Sequence, residues 1–350
     1  MVNIGQDLAD LWSRLPPLTL SIAILIGIAP LLFVQVIYDP FWYVANTLSA
    51  WWVLAFILFI MIGYFSTYVF YLKGESSPDL GKVAGVIAVI FFVLASIVMH
   101  ALNYQALLPE KWFKWHFREM YVDTSGGSLH AFQLPRFLHF MIPAFAMTGI
   151  LFMLYAWYFK EREDFDKNYL SWVGSMGAKL AFIASLIQAG VGFWWLLSLP
   201  PKFNFMTNPF FLLALLSGLI LLAFLYKAQS DPVKNAIPAL ILSFVVVLLM
   251  SAAREALRVL YIAEVNYSVS DYKVNLDWGS TILFLLTFIM GLVVISYQLA
   301  VAFYSGRSSK VLEETPTLAK WGNLSIILLI LWILIVGGLG IIITIKNFLM

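Results

Sequence analysis

The chain has 350 residues, of which 62% are hydrophobic and only 11% are charged, whereas a soluble domain carries about 25% charged residues. The composition therefore predicts a protein whose main solvent is lipid. The absence of cysteine excludes disulfides, thiolate metal sites, iron–sulfur ligation and cysteine nucleophiles, and the formal net charge of +2 gives no support to nucleic-acid binding. A redox centre in this chain would have to be held by His, Met, Glu or Tyr, or be a quinone.

Nine apolar stretches are long enough to cross a bilayer, which takes about 20 residues in a helix. They lie near residues 18–38, 51–72, 83–107, 135–158, 172–197, 208–227, 235–263, 278–304 and 322–345. We predict an all-α fold, a polytopic membrane bundle of nine transmembrane helices. No repeat or linker interrupts it, so residues 1–350 are predicted to form a single membrane domain. It would begin with a short cytoplasmic segment, 1–17, retained and not cleaved as a signal peptide, and its longest outer loop would be 109–134.

The basic residues of the loops predict the orientation of the bundle. Loops on the side of the N-terminus carry most of them: Lys73, Lys82, Lys160, Arg162, Lys167, Lys227, Lys234, Arg307, Lys310 and Lys320. By the positive-inside rule this side is cytoplasmic. We therefore expect an integral protein of the cytoplasmic (inner) membrane with its N-terminus inside and its C-terminus outside. The basic residues of the outer loop, Lys111, Lys114 and Arg118, oppose this orientation without reversing it.

The four histidines all lie between residues 100 and 139, toward the outer face. Ionisable groups inside a membrane cost about 2.5 to 3.5 kcal/mol each on insertion scales, so they are candidates for function. His100 and His139 lie near the outer ends of consecutive spans and could supply both axial ligands of a haem b. Arg136, three residues before His139, could meet a haem propionate. The alternative is that each histidine only forms a hydrogen bond with a carbonyl or a tyrosine.

A second polar cluster lies in the seventh span, where Arg254, Glu255 and Arg258 are neighbours at helical spacing. One glutamate between two arginines can be a self-neutralising structural cluster, and from these residues alone we favour that interpretation. The functional alternative makes Glu255 the ligand of a second haem iron or a proton-carrying carboxylate, with the arginines on propionates.

Short motifs around both clusters resemble a known family. The stretch Arg136-Phe137-Leu138-His139, followed by Thr148-Gly149 and Ala156-Trp157-Tyr158, resembles the span of the large subunit of cytochrome bd quinol oxidase that carries the histidine ligand of the low-spin haem b. Glu255-Ala256-Leu257-Arg258 is similar to that family's Glu-x-x-Arg, whose glutamate ligates a high-spin haem. Spans one to eight resemble spans two to nine of the family. The resemblance implies haem b at His139 and a second haem at Glu255.

The chain departs from this family at several functional positions. The family's first helix, with the histidine of its oxygen-reducing site, has no counterpart here. Its methionine ligand falls near Leu213 or Ala214, and its two membrane glutamates fall on residues such as Ile57 and Phe65. The quinol-binding loop is reduced to residues 199–208. Oxygen reduction by this chain alone is therefore not expected.

These departures shape the functional prediction. With the methionine missing, His100 becomes the candidate sixth ligand of the haem at His139. We predict a membrane subunit of a respiratory electron-transfer complex that passes electrons between quinol and an extracytoplasmic cytochrome c, which docks on the outer loop around Trp112, Trp115, His116 and Arg118. Gly337, Gly338 and Gly340 suggest contact with other membrane subunits.

Three other functions stay open. The chain could be a subunit of a bd-type oxygen reductase completed by a partner chain, or a haem-free structural membrane subunit. It could also be a secondary transporter, which the absence of internal repeats disfavours.

Overall fold

The structure is a computed structural model that describes residues 6–118, 121–273, 276–310 and 312–349. These residues are almost entirely helical. The helices are α1 (Gln6–Ile37), α2 (Asp39–Leu48), α3 (Ala50–Lys73), α4 (Pro78–Ala106), α5 (Pro109–His116), α6 (Leu134–Phe159), α7 (Lys167–Leu197), α8 (Pro209–Ala228), α9 (Ala236–Ile262), α10 (Trp278–Gly306) and α11 (Pro316–Leu349). Short 3-10 turns follow α7 (Pro201–Phe203 and Phe205–Thr207) and α9 (Ala263–Val265 and Val269–Asp271).

Nine segments of the described helices are long and apolar enough to cross a membrane. They are Pro16–Ile37, Ala50–Lys73, Pro78–Ala106, Leu134–Phe159, Lys167–Leu197, Pro209–Ala228, Ala236–Val265, Trp278–Gly306 and Pro316–Phe348. Each overlaps one of the nine stretches predicted from hydropathy. Lipid offers no hydrogen bonds to the backbone, so a spanning segment must satisfy its own amides, and the helix does so. The chain is an all-α polytopic membrane protein, as predicted.

Capping residues set where two of these helices begin. The side-chain oxygen of Asn208 accepts hydrogen bonds from the backbone amides of Phe210 and Phe211 at the start of α8. The carboxylate of Asp277 accepts from the backbone amide of Gly279 at the start of α10. Both caps satisfy amides that the first helical turn leaves without a partner.

The long loop predicted at 109–134 contains local structure. It begins with α5, and a short antiparallel ladder follows, in which β1 (Phe117–Arg118) pairs with β2 (Tyr121–Val122). Trp112 donates from Nε1 to the backbone oxygen of Gln105 at 2.9 Å, and Trp115 stacks on His130 with ring centroids 5.2 Å apart. Trp112 therefore holds α5 against the end of α4, and Trp115 holds it against the loop at His130. The side chain of Arg118 lies outside the described residues.

The chain divides into two compact units. The first comprises Met1–Met153 and Ser175–Asp271, so it contains all of α1 to α5, α8 and α9. In this unit α3 packs along α4 and α8 along α9. Gly149 of α6 and Gly177 of α7 also lie here, and a Cβ on Gly149 would come within 2.5 Å of the Gly177 backbone oxygen. Only glycine permits the two helix backbones to approach so closely.

The second unit comprises Leu154–Gly174 and Tyr272–Met350. Within it α10 packs against α11, and Trp332 donates from Nε1 to the Thr287 hydroxyl at 3.1 Å. Arg307 forms an ion pair with Glu161 at 2.8 Å. The described residues place nothing within 4 Å of a Cβ built on the three glycines for which contact with another subunit is predicted, Gly337, Gly338 and Gly340. That contact stays a prediction.

Candidate functional site

The three arginines predicted from the sequence line one cavity in the first unit. The cavity has a volume of about 30 Å³, which is room for about two water molecules. Its lining comprises Arg136 of α6, Arg254, Leu257, Arg258 and Tyr261 of α9, Asn103 and Leu107 at the end of α4, and Trp195 of α7. Polar groups from four separated parts of the sequence thus meet at one place.

Arg136 is the most buried of the three arginines, with 8% of its surface exposed. Its guanidinium carbon lies 5.5 Å from the centre of the Tyr104 ring and 5.3 Å from that of Phe140. Such cation–π contacts stabilise a cation away from water. Nη1 of Arg136 is nevertheless buried without a hydrogen-bond partner among the described residues. This guanidinium therefore retains a donor that a ligand could use.

Arg254 approaches the same aromatic ring. Its guanidinium carbon lies 5.8 Å from the centre of the Phe140 ring, so the guanidinium groups of Arg136 and Arg254 both lie near the same phenyl ring. Like charges repel each other; Arg136 is buried, whereas Arg254 is exposed. The pair Arg136 and Arg254 is therefore a local concentration of positive charge.

Glu255 has a partner for each carboxylate oxygen. Oε1 accepts a hydrogen bond from the Tyr38 hydroxyl at 2.8 Å, and Oε2 lies 3.2 Å from Nη1 of Arg258. Arg258 also lies over the Tyr38 ring, 4.8 Å from its centre. The three side chains form one network, in which each Glu255 oxygen has a protein partner while the side chain stays 46% exposed. The structure therefore gives Glu255 the self-neutralising role for Arg258 that the sequence already favoured.

His139 is held by a polar residue of the next helix. The side-chain nitrogen of Gln188 lies 2.9 Å from Nδ1 of His139 and 2.8 Å from its backbone oxygen. The Trp195 ring lies 5.0 Å from the imidazole, and a Cβ on Gly192 would come within 3.0 Å of Cε1. Because the Gln188 amide donates, Nδ1 is the acceptor and Nε2 carries the ring proton; Nε2 is the nitrogen that Gln188 does not engage.

His100 is buried among aromatic side chains. Its ring meets Phe132 and Phe137 edge-on, with centroids 5.0 Å and 5.5 Å away. Nε2 of His100 is buried with no partner in the described part of the chain.

The structure brings some of the predicted site residues together and leaves others apart. Arg136, Arg254 and Arg258 share the cavity, and Glu255 joins them through Arg258. His100 and His139 are not among the cavity's lining residues, and their rings contact different neighbours. Ligation of one iron by both histidines stays a prediction.

Several residues of the site were not predicted as such. Gln188 of α7 contacts the candidate ligand His139 of α6. Trp195 of α7 lines the cavity. Nothing in the sequence signals that Tyr38, more than 200 residues earlier, would meet Glu255.

The donors present fit the ligand and propionate ends of a haem b. A ligating imidazole needs one nitrogen free and the other hydrogen-bonded, usually as a donor to an oxygen. Oε1 of Gln188 is buried without a partner among the described residues. The amide nitrogen of Gln188 also donates to the His139 backbone oxygen, so Nδ1 is the acceptor here and Nε2 carries the ring proton; iron at Nε2 would require the other tautomer. The cavity itself admits one carboxylate-sized group and not a porphyrin ring.

Fold and site together define a polytopic helical membrane protein with an arginine-rich polar site between its spans. Comparison with protein-family models, with curated proteins and with solved structures gives no match for this chain.

Proposed function

We propose that this chain is a membrane subunit of a respiratory electron-transfer complex that binds haem b through His139. The observation that carries the proposal is the position of His139, one helical turn beyond the buried Arg136 and bonded through Nδ1 to Gln188. This arrangement offers a free ring nitrogen beside guanidinium groups suited to carboxylates. His100, with its Nε2 free, is the proposed sixth ligand.

In this function the haem would supply one-electron transfer, and the chain would supply its environment. Gln188 would orient the imidazole of His139. Arg136 and Arg254 would meet the propionates, and their positive charge would favour a reduced haem. The network of Glu255 with Tyr38 and Arg258 favours one haem over two.

The basic residues of the loops support one orientation of the protein in the membrane. With the N-terminus cytoplasmic and the C-terminus outside, in the cytoplasmic (inner) membrane, the cavity and both histidines would lie toward the outer face. Electrons would then pass from a quinol in the bilayer to an extracytoplasmic partner such as a cytochrome c. Trp112 and Trp115 are turned toward the protein, so the docking surface would use the exposed residues of α5, Lys111, Phe113 and Lys114.

A haem-free structural subunit is the second candidate function. The observation in its favour is the Tyr38–Glu255–Arg258 network, in which each carboxylate oxygen of Glu255 already has a protein partner. A bd-type oxygen reductase completed by a partner chain would in addition require an open iron position. Carbon monoxide binding to the reduced complex identifies such a position.

Electron transfer is tested on the complex purified with its native partners. A short-chain quinol is added and the α-band of reduced haem b is followed, and oxidised cytochrome c is then added. We expect reduction by quinol and reoxidation by the cytochrome, loss of both in His139→Ala, and unchanged reduction by quinol in His116→Ala. A complex that transfers electrons equally well with His139→Ala would contradict the proposal.

A further inference from the structure

The arginine cavity carries more positive than negative charge. Three arginines line it, and a single carboxylate, that of Glu255, is paired with one of them, Arg258. Two guanidinium charges are left within helices that are candidate membrane spans. On insertion scales an arginine costs about 2.5 to 3.5 kcal/mol at the bilayer centre, and the cost is smaller here because Arg136 is the third residue of α6. An anion in the cavity would remove this cost.

Two lining residues also hold donors that no described residue accepts from. Nη1 of Arg136 and Nε1 of Trp195 are both buried and have no hydrogen-bond partner. Buried donors without acceptors are rare, because each lost hydrogen bond costs about 1 to 3 kcal/mol. Both residues line the cavity, and because both nitrogens are fully buried, each side chain would have to shift to donate to an anion there.

The size of the cavity restricts the ligand. About 30 Å³ holds two water-sized atoms, which matches the two oxygens of a carboxylate or two of the oxygens of a phosphate. From charge, donors and size together, we propose that the cavity of Arg136, Arg254 and Trp195 is a binding site for a single oxyanion group, phosphate or carboxylate. The site does not depend on haem. In a haem-loaded protein a propionate would be the carboxylate bound, and without haem the phosphate of a phospholipid headgroup or free phosphate would take its place.

The test uses the full-length protein in an uncharged detergent and phosphate-free buffer. The Tm is measured against increasing sodium phosphate, with sodium chloride at equal ionic strength as the reference. Native mass spectrometry then compares retention of phosphatidylglycerol with that of diacylglycerol, which lacks the phosphate. We expect phosphate to raise the Tm where chloride does not, and phosphatidylglycerol to be retained where diacylglycerol is not.

Variants locate the effect. Arg254→Gln removes a charge from the cavity, and Trp195→Phe removes the indole donor while leaving an aromatic ring beside His139. We expect the apparent Kd for phosphate to rise about tenfold or more in the first, since a charged partner is lost, and several-fold in the second. Lys82→Gln, which changes an exposed lysine distant in sequence, is the matched control and should leave the Kd unchanged.

The outcomes separate the sources of the anion. A response to phosphate alone identifies a free ion, and retention of phosphatidylglycerol that Arg254→Gln abolishes identifies the headgroup. A response that disappears when haem is bound identifies competition with a propionate. Oxyanion binding by a chain that binds no haem would refute the proposed function and leave this site intact. If phosphate acts no differently from chloride and phosphatidylglycerol is retained no better than diacylglycerol, the oxyanion site is refuted.

Discussion

Gln188 and His139, on consecutive membrane helices, are joined by two contacts of one amide group, 2.9 Å to Nδ1 of the imidazole and 2.8 Å to the histidine's own backbone oxygen. The backbone contact fixes the amide relative to α6, and the ring contact then fixes the imidazole relative to the amide. A histidine held in this way has one nitrogen committed and one available. We therefore expect Gln188 to affect how His139 binds a ligand.

Replacing Gln188 by leucine should weaken haem binding. The leucine keeps the approximate volume but leaves Nδ1 without its hydrogen bond, and loss of such an outer partner typically costs about 10- to 100-fold in affinity for the bound metal. Haem content per chain and the midpoint potential after purification measure the effect. Gln298→Leu, a change of the same chemistry in α10, is the control and should retain full haem content. Equal haem content in both variants would show that Gln188 does not support a ligand.

His100→Ala tests the sixth ligand. If His100 completes the coordination of the haem at His139, the variant should keep the haem but convert it from low spin to high spin, because one strong-field ligand is lost. Absorption and electron paramagnetic resonance spectra of the oxidised complex report the spin state. A low-spin spectrum identical to that of the parent would exclude His100 as the ligand.

The contact between α6 and α7 in the first unit predicts a stability effect that is independent of haem. A Cβ on Gly149 would lie 2.5 Å from both the Gly177 backbone oxygen and the Ala181 backbone nitrogen, and these backbone atoms cannot move aside singly. Gly149→Ala should therefore lower the free energy of unfolding by about 1 to 3 kcal/mol, the usual cost of overpacking. The Tm in detergent measures it.

Gly190→Ala is the matched control for this change. It lies in the same helix as Gly177, and nothing described lies within 4 Å of a Cβ built on it. Alanine is favoured over glycine inside a helix by about 0.5 to 1 kcal/mol, so this variant should be unchanged or slightly more stable. A Tm for Gly149→Ala as high as that of Gly190→Ala would contradict the close approach of the two helices.

The cap of α10 predicts a pH dependence. Hydrogen bonds from the Ser280 side chain and the Gly279 backbone hold the pKa of Asp277 below its usual value of 3.8. A carboxyl group with a lowered pKa in the folded state contributes stability above that usual value and loses the contribution as the pH falls through its folded pKa. Asp277→Ala should therefore lower the Tm at pH 7, and its difference from the parent should shrink below about pH 4. A difference that does not change with pH would show that the carboxylate charge has no role in the cap.

The membrane-spanning helices could be predicted from the sequence, because the lipid environment requires them to be apolar. A spanning segment must be apolar for about 20 residues, so all nine spans were visible. Helices α2 and α5, of 10 and 8 residues, are too short for that signal and were not predicted. Arg136, Arg254 and Arg258 were found because charges in lipid are rare. Gln188 was not recognised as a partner of His139. The side chains that meet between two helices depend on how each helix is rotated about its own axis. The apolar pattern of a span does not specify that rotation.

Haem content is the most direct test of the account, since every electron-transfer step proposed here depends on His139. The complex is purified from parent, His139→Ala and His116→Ala strains, and pyridine haemochrome content per chain is measured together with the reduced-minus-oxidised spectrum. If His139 binds haem b, the parent and His116→Ala should show a haem b signal. His139→Ala should lose the signal while the complex still assembles. A haem b signal of equal size in all three, or none assignable to this chain in the parent, would contradict haem binding by His139.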